Sequence, residues 1–126
     1  MISVAELMSE DVQTLPADAR LAEVYQLMRD KHIRHVPIVD SAGGLLGVVS
    51  YLDVMAATPS RFDQETRREV AYSHTRAGDI MRTEVHKVSS STSARQAAKR
   101  MEKLKIGCLP IVDNAKLVGI ITDSDF

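Results

Sequence analysis

The chain has 126 residues, 44% apolar and 26% charged, which suits one compact domain or an intertwined pair of half-domains and excludes a mainly disordered state. Sixteen basic residues against 17 acidic ones leave a net charge of -1, so no broad field draws the chain to nucleic acid or to a membrane. A single cysteine, Cys108, rules out an internal disulfide and a four-cysteine zinc site and points to a reducing, cytoplasmic setting; no apolar run approaches the ~18 residues that span a bilayer, and the N-terminus lacks a signal pattern.

In chain order, a short apolar piece at 12–15 predicts a strand. Leu21, Val24, Tyr25, Leu27 and Met28 then fall at helical spacing opposite a charged face. An apolar run with Pro37 near its start (36–39), a Gly-containing turn, and a β-branched run (45–49) predict a hairpin. A second helix is expected from Tyr51. Residues 56–76 carry Pro59 and many charges; Phe62, Thr66 and Val70 are spaced four apart, which predicts a weakly amphipathic surface helix joining two halves. The pattern then starts again: an apolar piece at 85–88, a helix carrying Ala94, Ala97, Ala98 and Met101, and apolar runs at 109–112 and 117–121. Ser93 and Gln96 stand in capping-box positions for this helix, where the first copy has Arg20 and Glu23. The sequence stops at Phe126, where the last helix of the second copy is expected.

The two halves are copies. Shifted by 73 residues, Met8 falls on Met81, Val12 on Val85, Met28 on Met101, and Pro37-Ile38-Val39-Asp40 on Pro110-Ile111-Val112-Asp113. One deletion, in the turn, brings Gly47 onto Gly119, Ser50 onto Thr122 and Asp53 onto Asp125. The expected organisation is a first unit at 1–58, a linker at 59–76 and a second unit at 77–126, each β-α-β-β-α. One copy of ~50 residues buries too little surface to stand alone, so the two are expected to cover each other's sheets.

Each copy ends on Gly-x-x-Ser/Thr-x-x-Asp, where a strand runs into a helix. Two readings fit. A hydroxyl at the N-cap with an acid at N3 is a capping box. The same corner can also hold a nucleotide, because free N–H groups attract phosphate and a carboxylate accepts bonds from vicinal ribose hydroxyls. Both copies keep Gly, hydroxyl and Asp while much else differs, and capping alone does not require Asp twice.

The paired units, Met8 and Met81, the two Pro-Ile-Val-Asp runs and the two Gly-x-x-Ser/Thr-x-x-Asp endings resemble a tandem pair of cystathionine-β-synthase (CBS) domains, a Bateman module. The resemblance implies an α/β (α+β) fold of two β-α-β-β-α units packed sheet to sheet, with pseudo-two-fold symmetry. It implies a regulatory, non-catalytic module that binds an adenosine compound (AMP, ADP, ATP or S-adenosylmethionine) in the cleft between its units. No cofactor is required, a homodimer is expected, and the regulated partner is an enzyme or transporter. Asp53 and Asp125 match the ribose-binding acids, and Ser50 and Thr122 the hydroxyls near the phosphate. Arg34 and His35, just before the proline run, match groups that reach the phosphate of the site carried by the other copy. Gly107 and Cys108 stand there in the second copy and bring no charge, so unequal sites are implied, with Thr122 and Asp125 the stronger. Thr14 matches a residue near the base, where the second copy has Lys87. Val36, Ile38, Leu109 and Ile111 are candidate walls for the base, or simply core.

The remaining chemistry-bearing residues point elsewhere. His32 and His35 have no second pair or acid at metal-ligand spacing. Cys108, in an apolar run, reads as a buried, inert thiol, and no nucleophile-base arrangement stands out. The alternative to ligand sensing is a scaffold that uses the same fold to dimerise or dock without binding a ligand.

Overall fold

The computed structural model describes residues 1–59 and 65–126, so Phe62 of the expected linker helix lies outside the described residues. The described chain divides into two compact units. One carries the first hairpin and comprises Gln13–Ser41 and Leu46–Val85; the other carries the second hairpin and comprises Met1–Val12, Ala42–Leu45 and His86–Phe126.

In the first-hairpin unit, helix α2 (Leu21–Lys31) buries Leu21, Val24 and Met28, a single stripe, as its spacing predicts. Its first turn is closed by Glu23, whose carboxylate accepts the Arg20 N–H at 3.2 Å. It ends at His32, which adopts the left-handed conformation (φ 55°). Strands β1 (His35–Val39) and β2 (Leu45–Ser50) pair in a two-stranded sheet. Each has three successive buried residues in place of an in-out alternation, so both faces of the pair are covered. The expected opening strand amounts to one parallel bridge, Leu15 to Ile38, made by the Val39 N–H on the Leu15 carbonyl (3.0 Å) and the Leu15 N–H on the Pro37 carbonyl (3.3 Å). Helix α3 (Tyr51–Ala57) follows β2 directly. Helix α4 (Glu65–His74) has no fully buried residue, but Ala71 and Tyr72 pack on the core and the Tyr72 ring stacks on Tyr25 with centroids 6.3 Å apart. The short α5 (Ala77–Ile80) is pinned by the Ala77 N–H on the Ala19 carbonyl (2.7 Å) and the Gly78 N–H on the Ala17 carbonyl (2.8 Å).

The second-hairpin unit repeats this plan. Helix α6 (Ala94–Leu104) is capped by Ser93, whose Oγ accepts the Gln96 N–H at 3.1 Å, and it buries Ala94, Ala97 and Met101. It also ends on a left-handed residue, Lys105 (φ 55°), the counterpart of His32. Strands β3 (Cys108–Asp113) and β4 (Lys116–Thr122) are antiparallel, with Leu109 opposite Ile121 and Asp113 opposite Lys116. Asn114 and Ala115 between them both have positive φ (51° and 63°), the geometry of a two-residue turn that matches strand twist. Val88 makes one parallel bridge to Ile111. Helix α1 (Val4–Leu7) packs on α6 and β4, with the Val4 N–H on the Thr92 carbonyl at 2.8 Å.

The chain order hides an exchange. Helix α5 opens the second sequence copy but sits in the unit of the first hairpin, and α1 opens the first copy but sits with the second hairpin. Each unit thus joins one copy's hairpin to the other copy's opening segment. The two motif glycines make this possible. A Cβ on Gly47 would lie 2.7 Å from the Arg82 carbonyl oxygen and 2.9 Å from Met81 Sδ, and one on Gly119 would strike Met8 Sδ. Only a residue without a side chain lets the segment after α5, or after α1, lie against the strand. No helix among the described residues is long and apolar enough to cross a membrane.

Candidate functional site

The two strand-to-helix corners are where the sequence places its chemistry, and each is built from its own unit. At the first, Ser50 ends β2 and caps α3. The Ser50 N–H donates to Asp53 Oδ2 (2.9 Å) and the Asp53 N–H donates to Ser50 Oγ (3.2 Å), a reciprocal capping box. At the second, Thr122 ends β4 and a 3₁₀ turn follows (Asp123–Asp125). The Thr122 N–H donates to Asp125 Oδ2 at 2.7 Å, but the Thr122 hydroxyl turns to Ser124 Oγ (2.8 Å) and Asp125 Oδ2 (3.3 Å). Both carboxylates are thereby fixed by a backbone N–H of the hydroxyl residue three positions earlier.

The surroundings differ. Asp53 Oδ1 accepts the Arg82 Nε–H at 3.2 Å, an ion pair whose acid is 12% exposed and whose base is 74% exposed. Arg82 is carried there by a two-bond bridge: the Val48 N–H donates to the Arg82 carbonyl (3.0 Å) and the Arg82 N–H to the Val48 carbonyl (2.9 Å). In the second-hairpin unit Ser9 makes the same bridge to Ile120 (2.9 and 3.1 Å). Its hydroxymethyl side chain brings no cation, and among the described residues Asp125 has no basic partner. Sequence reasoning passed over Arg82. The signal was present: the 73-residue shift that sets Met8 on Met81 also sets Ser9 on Arg82.

The residues before the prolines are placed by the same architecture. The Arg34 carbonyl accepts the Tyr51 N–H (2.8 Å), and the Arg34 guanidinium lies 5.9 Å from the Tyr51 ring centroid, inside the Ser50–Asp53 corner's own unit. His35 opens β1. Their counterparts are Gly107, whose carbonyl accepts the Asp123 N–H (3.1 Å), and Cys108, which opens β3. Burial, and secondarily the nearby Asp123 carboxylate, push the Cys108 thiol from 9.0 up to about 12, so it stays protonated at neutral pH.

Thr14 lines a cavity of about 440 Å³ with Pro16, Ala17, Asp40, Ser41 and Leu46 among its walls; none of the other six candidate residues lines it. Asp123, of the second corner, lines a separate cavity of about 260 Å³ with Met101, Ile106 and Phe126. Val36, Ile38, Leu109 and Ile111 are fully buried in the cores of their units. They are core residues and offer no accessible wall to a base. Arg34, His35, Ser50, Asp53 and Thr14 belong to the first-hairpin unit, Thr122 and Asp125 to the second.

The CBS domain family model matches residues 4–60 and 77–126. A CBS domain-containing protein from Dictyostelium discoideum is 30% identical over 98% of this chain and 88% of its own length. A homoserine O-acetyltransferase from Methanococcoides burtonii is 32% identical over 98% of this chain, which spans only 23% of that enzyme. Among solved structures, the AcuB protein of Vibrio cholerae, assigned to acetoin utilization, is similar with a TM-score of 0.85 and 40% identity, covering 100% of this chain and 87% of that one. The cytosolic domain of the Mg²⁺ channel MgtE in complex with ATP has a TM-score of 0.78 and 27% identity over 98% of this chain and 47% of that one. CBSX2 in complex with AMP has a TM-score of 0.85 at 24% identity, covering 99% and 93%, and shares the fold. The chain belongs to the CBS domain family, as a tandem pair of α+β CBS units.

Proposed function

We propose that this chain is a regulatory ligand-sensing module that binds an adenosine compound, with AMP, ADP, ATP and S-adenosylmethionine as candidates, and that it does so through its two strand-to-helix corners. The observation that carries the reading is the duplicated corner: a carboxylate held by a backbone N–H at 2.9 Å in one unit and 2.7 Å in the other, in both cases through Oδ2, so that Oδ1 takes no part in the cap bond. A carboxylate so fixed is pre-oriented to accept the paired hydroxyls of a ribose. The ATP complex of the MgtE cytosolic domain supports the ligand class.

In this reading Asp53 and Asp125 take ribose hydroxyls, Ser50 and Thr122 lie near the phosphate, Arg34 and His35 contact phosphate, and Thr14 contacts the base. Thr122 and Asp125 form the stronger site. The module works in the cytoplasm, as a homodimer, upon a regulated enzyme or transporter, and carries out no catalysis of its own. Calorimetry with the four candidates tests this. Binding at sub-millimolar concentration is expected, with Asp125→Ala weakening AMP more than Asp53→Ala. No binding by any of the four overturns the reading.

A second reading, a scaffold without ligand, draws on α3, where Leu52 is 75% exposed and Met55 lies one turn on at 36%. It predicts a firm dimer in sedimentation and no shift of melting temperature with any nucleotide.

A further inference from the structure

We propose that Arg82 is the phosphate-contacting, specificity-determining residue of the Ser50–Asp53 corner, so that this corner selects phosphorylated adenosine ligands over adenosine itself. The inference rests on the ligand reading above and adds, beside Arg34, a cation that the motif alone did not assign to this corner.

Three observations carry it. First, the backbone of Arg82 is fixed, because both of its polar groups are bonded to Val48 and the approach depends on Gly47 having no Cβ. Second, the guanidinium is anchored by one atom. Nε–H donates to Asp53 Oδ1 at 3.2 Å, and among the described residues the four N–H groups on Nη1 and Nη2 make no bond. The side chain is 74% exposed, so that fork faces water. Third, the same position in the other unit is Ser9, which brings no charge to Asp125.

The electrostatics favour an anion. An unpaired Asp53 carboxylate would repel a phosphate on any ligand whose ribose it held. Arg82 cancels that charge and leaves a planar donor fork, the geometry that matches phosphate oxygens two at a time. An ion pair this exposed contributes little to stability, so the guanidinium re-aims at small cost. Asp53 also keeps lone pairs for the ribose, since each carboxylate oxygen accepts more than one bond.

The test is a titration of the full chain with AMP and with adenosine, followed by backbone amide signals in NMR. The amides of Ser50 and Asp53 report one corner, those of Thr122 and Asp125 the other. In the unsubstituted protein AMP shifts the Ser50 and Asp53 amides at lower concentration than adenosine does. Arg82→Ser, which copies the Ser9 of the other unit, raises the AMP dissociation constant at that corner about tenfold, the loss expected for a charge-assisted fork. Adenosine changes by less than about twofold, and the Thr122 and Asp125 titrations hold. Arg82→Lys keeps the charge without the fork and falls between. An unchanged AMP-to-adenosine ratio in Arg82→Ser overturns the inference while leaving the ligand reading standing. Tighter AMP binding in that variant overturns it too, because Arg82 then acts as a plug on Asp53. If neither compound moves any corner amide of the unsubstituted protein, the ligand reading falls and this inference with it.

Discussion

The two corners start from one motif and end as different devices. At Ser50–Asp53 the capping box is complete in both directions and Arg82 seals the outer carboxylate oxygen. At Thr122–Asp125 only the carboxylate half of the box forms, and the hydroxyl turns to Ser124 and Asp125. The carboxylate orientation survives where the reciprocal cap does not. That separates two demands the sequence motif mixes: closing a helix end, which one corner does without the hydroxyl, and aiming a carboxylate, which both corners do. The rest of the contrast comes from single aligned positions, Arg82 against Ser9, His35 against Cys108, and Ser90 against Ala17.

The largest expected effect concerns the position two residues before the proline. Where the first-hairpin unit has His35, the other has a thiol raised from 9.0 to about 12, a difference of three pH units. At neutral pH the folded protein then presents about a thousandfold less thiolate than an ordinary cysteine. Iodoacetamide at pH 7.5 should label Cys108 on that reduced scale in the native state and at an ordinary rate in denaturant. Equal rates in both states would mean that this end of β3 is open to solvent, and the contrast with His35 would narrow to charge alone.

Much of this was legible beforehand, because it follows from spacing. The Leu21, Val24, Met28 stripe, the hairpins and the duplicated corner are all set by period and by repetition within one chain. What was not legible was which copy's opening segment meets which hairpin. Repeats that resemble each other can pair within a copy or across copies with the same residues, and a sequence does not distinguish the two. Arg82 was lost for that reason: it belongs to the second copy by order but serves Asp53 of the first. Gly47 was read as part of a ligand motif, and its physical role is to admit Met81 and the Arg82 carbonyl. Thr14 shows the opposite limit, since a residue chosen by motif position lines a cavity that none of the other candidates enters.

The glycines give the next effect in size. At Gly47 a methyl group meets a backbone carbonyl, that of Arg82, at 2.7 Å, and the two-bond bridge to Val48 leaves little room to yield. Gly47→Ala is expected to cost about 1–3 kcal/mol, the range for forcing extra volume into a packed place. At Gly119 the first atom met is Met8 Sδ, on a flexible side chain, with the Ser9 carbonyl at 3.2 Å. Gly119→Ala should cost less. Urea denaturation of both variants, read as a change in midpoint at constant slope, decides it. A larger loss at Gly119 would show that Met8 is the more rigid of the two methionines, and that the crossings are unequal in the opposite sense.

The smallest effect lies in the Pro-Ile-Val-Asp runs. Asp113 accepts the Ser90 N–H at 3.0 Å, and the hydroxyl and N–H of Ser90 hold its carboxyl below the ordinary value of 3.8. In the first copy Ala17 stands in the place of Ser90 and has no hydroxyl to give. The sign of the pH effect follows from the lowered value. Folding binds this carboxylate better in its charged form, so its contribution is present above pH 3.8 and is lost as pH falls through the still lower folded value. Ser90→Ala removes one of the two donors and should move the Asp113 midpoint, followed by side-chain carboxyl NMR, back toward 3.8, with stability at neutral pH falling slightly and stability below the folded value unchanged. If the midpoint stays where it was, the N–H alone sets it. The exchange of Ser90 for Ala17 would then drop out of the difference between the copies, which would rest on Arg82 and Cys108.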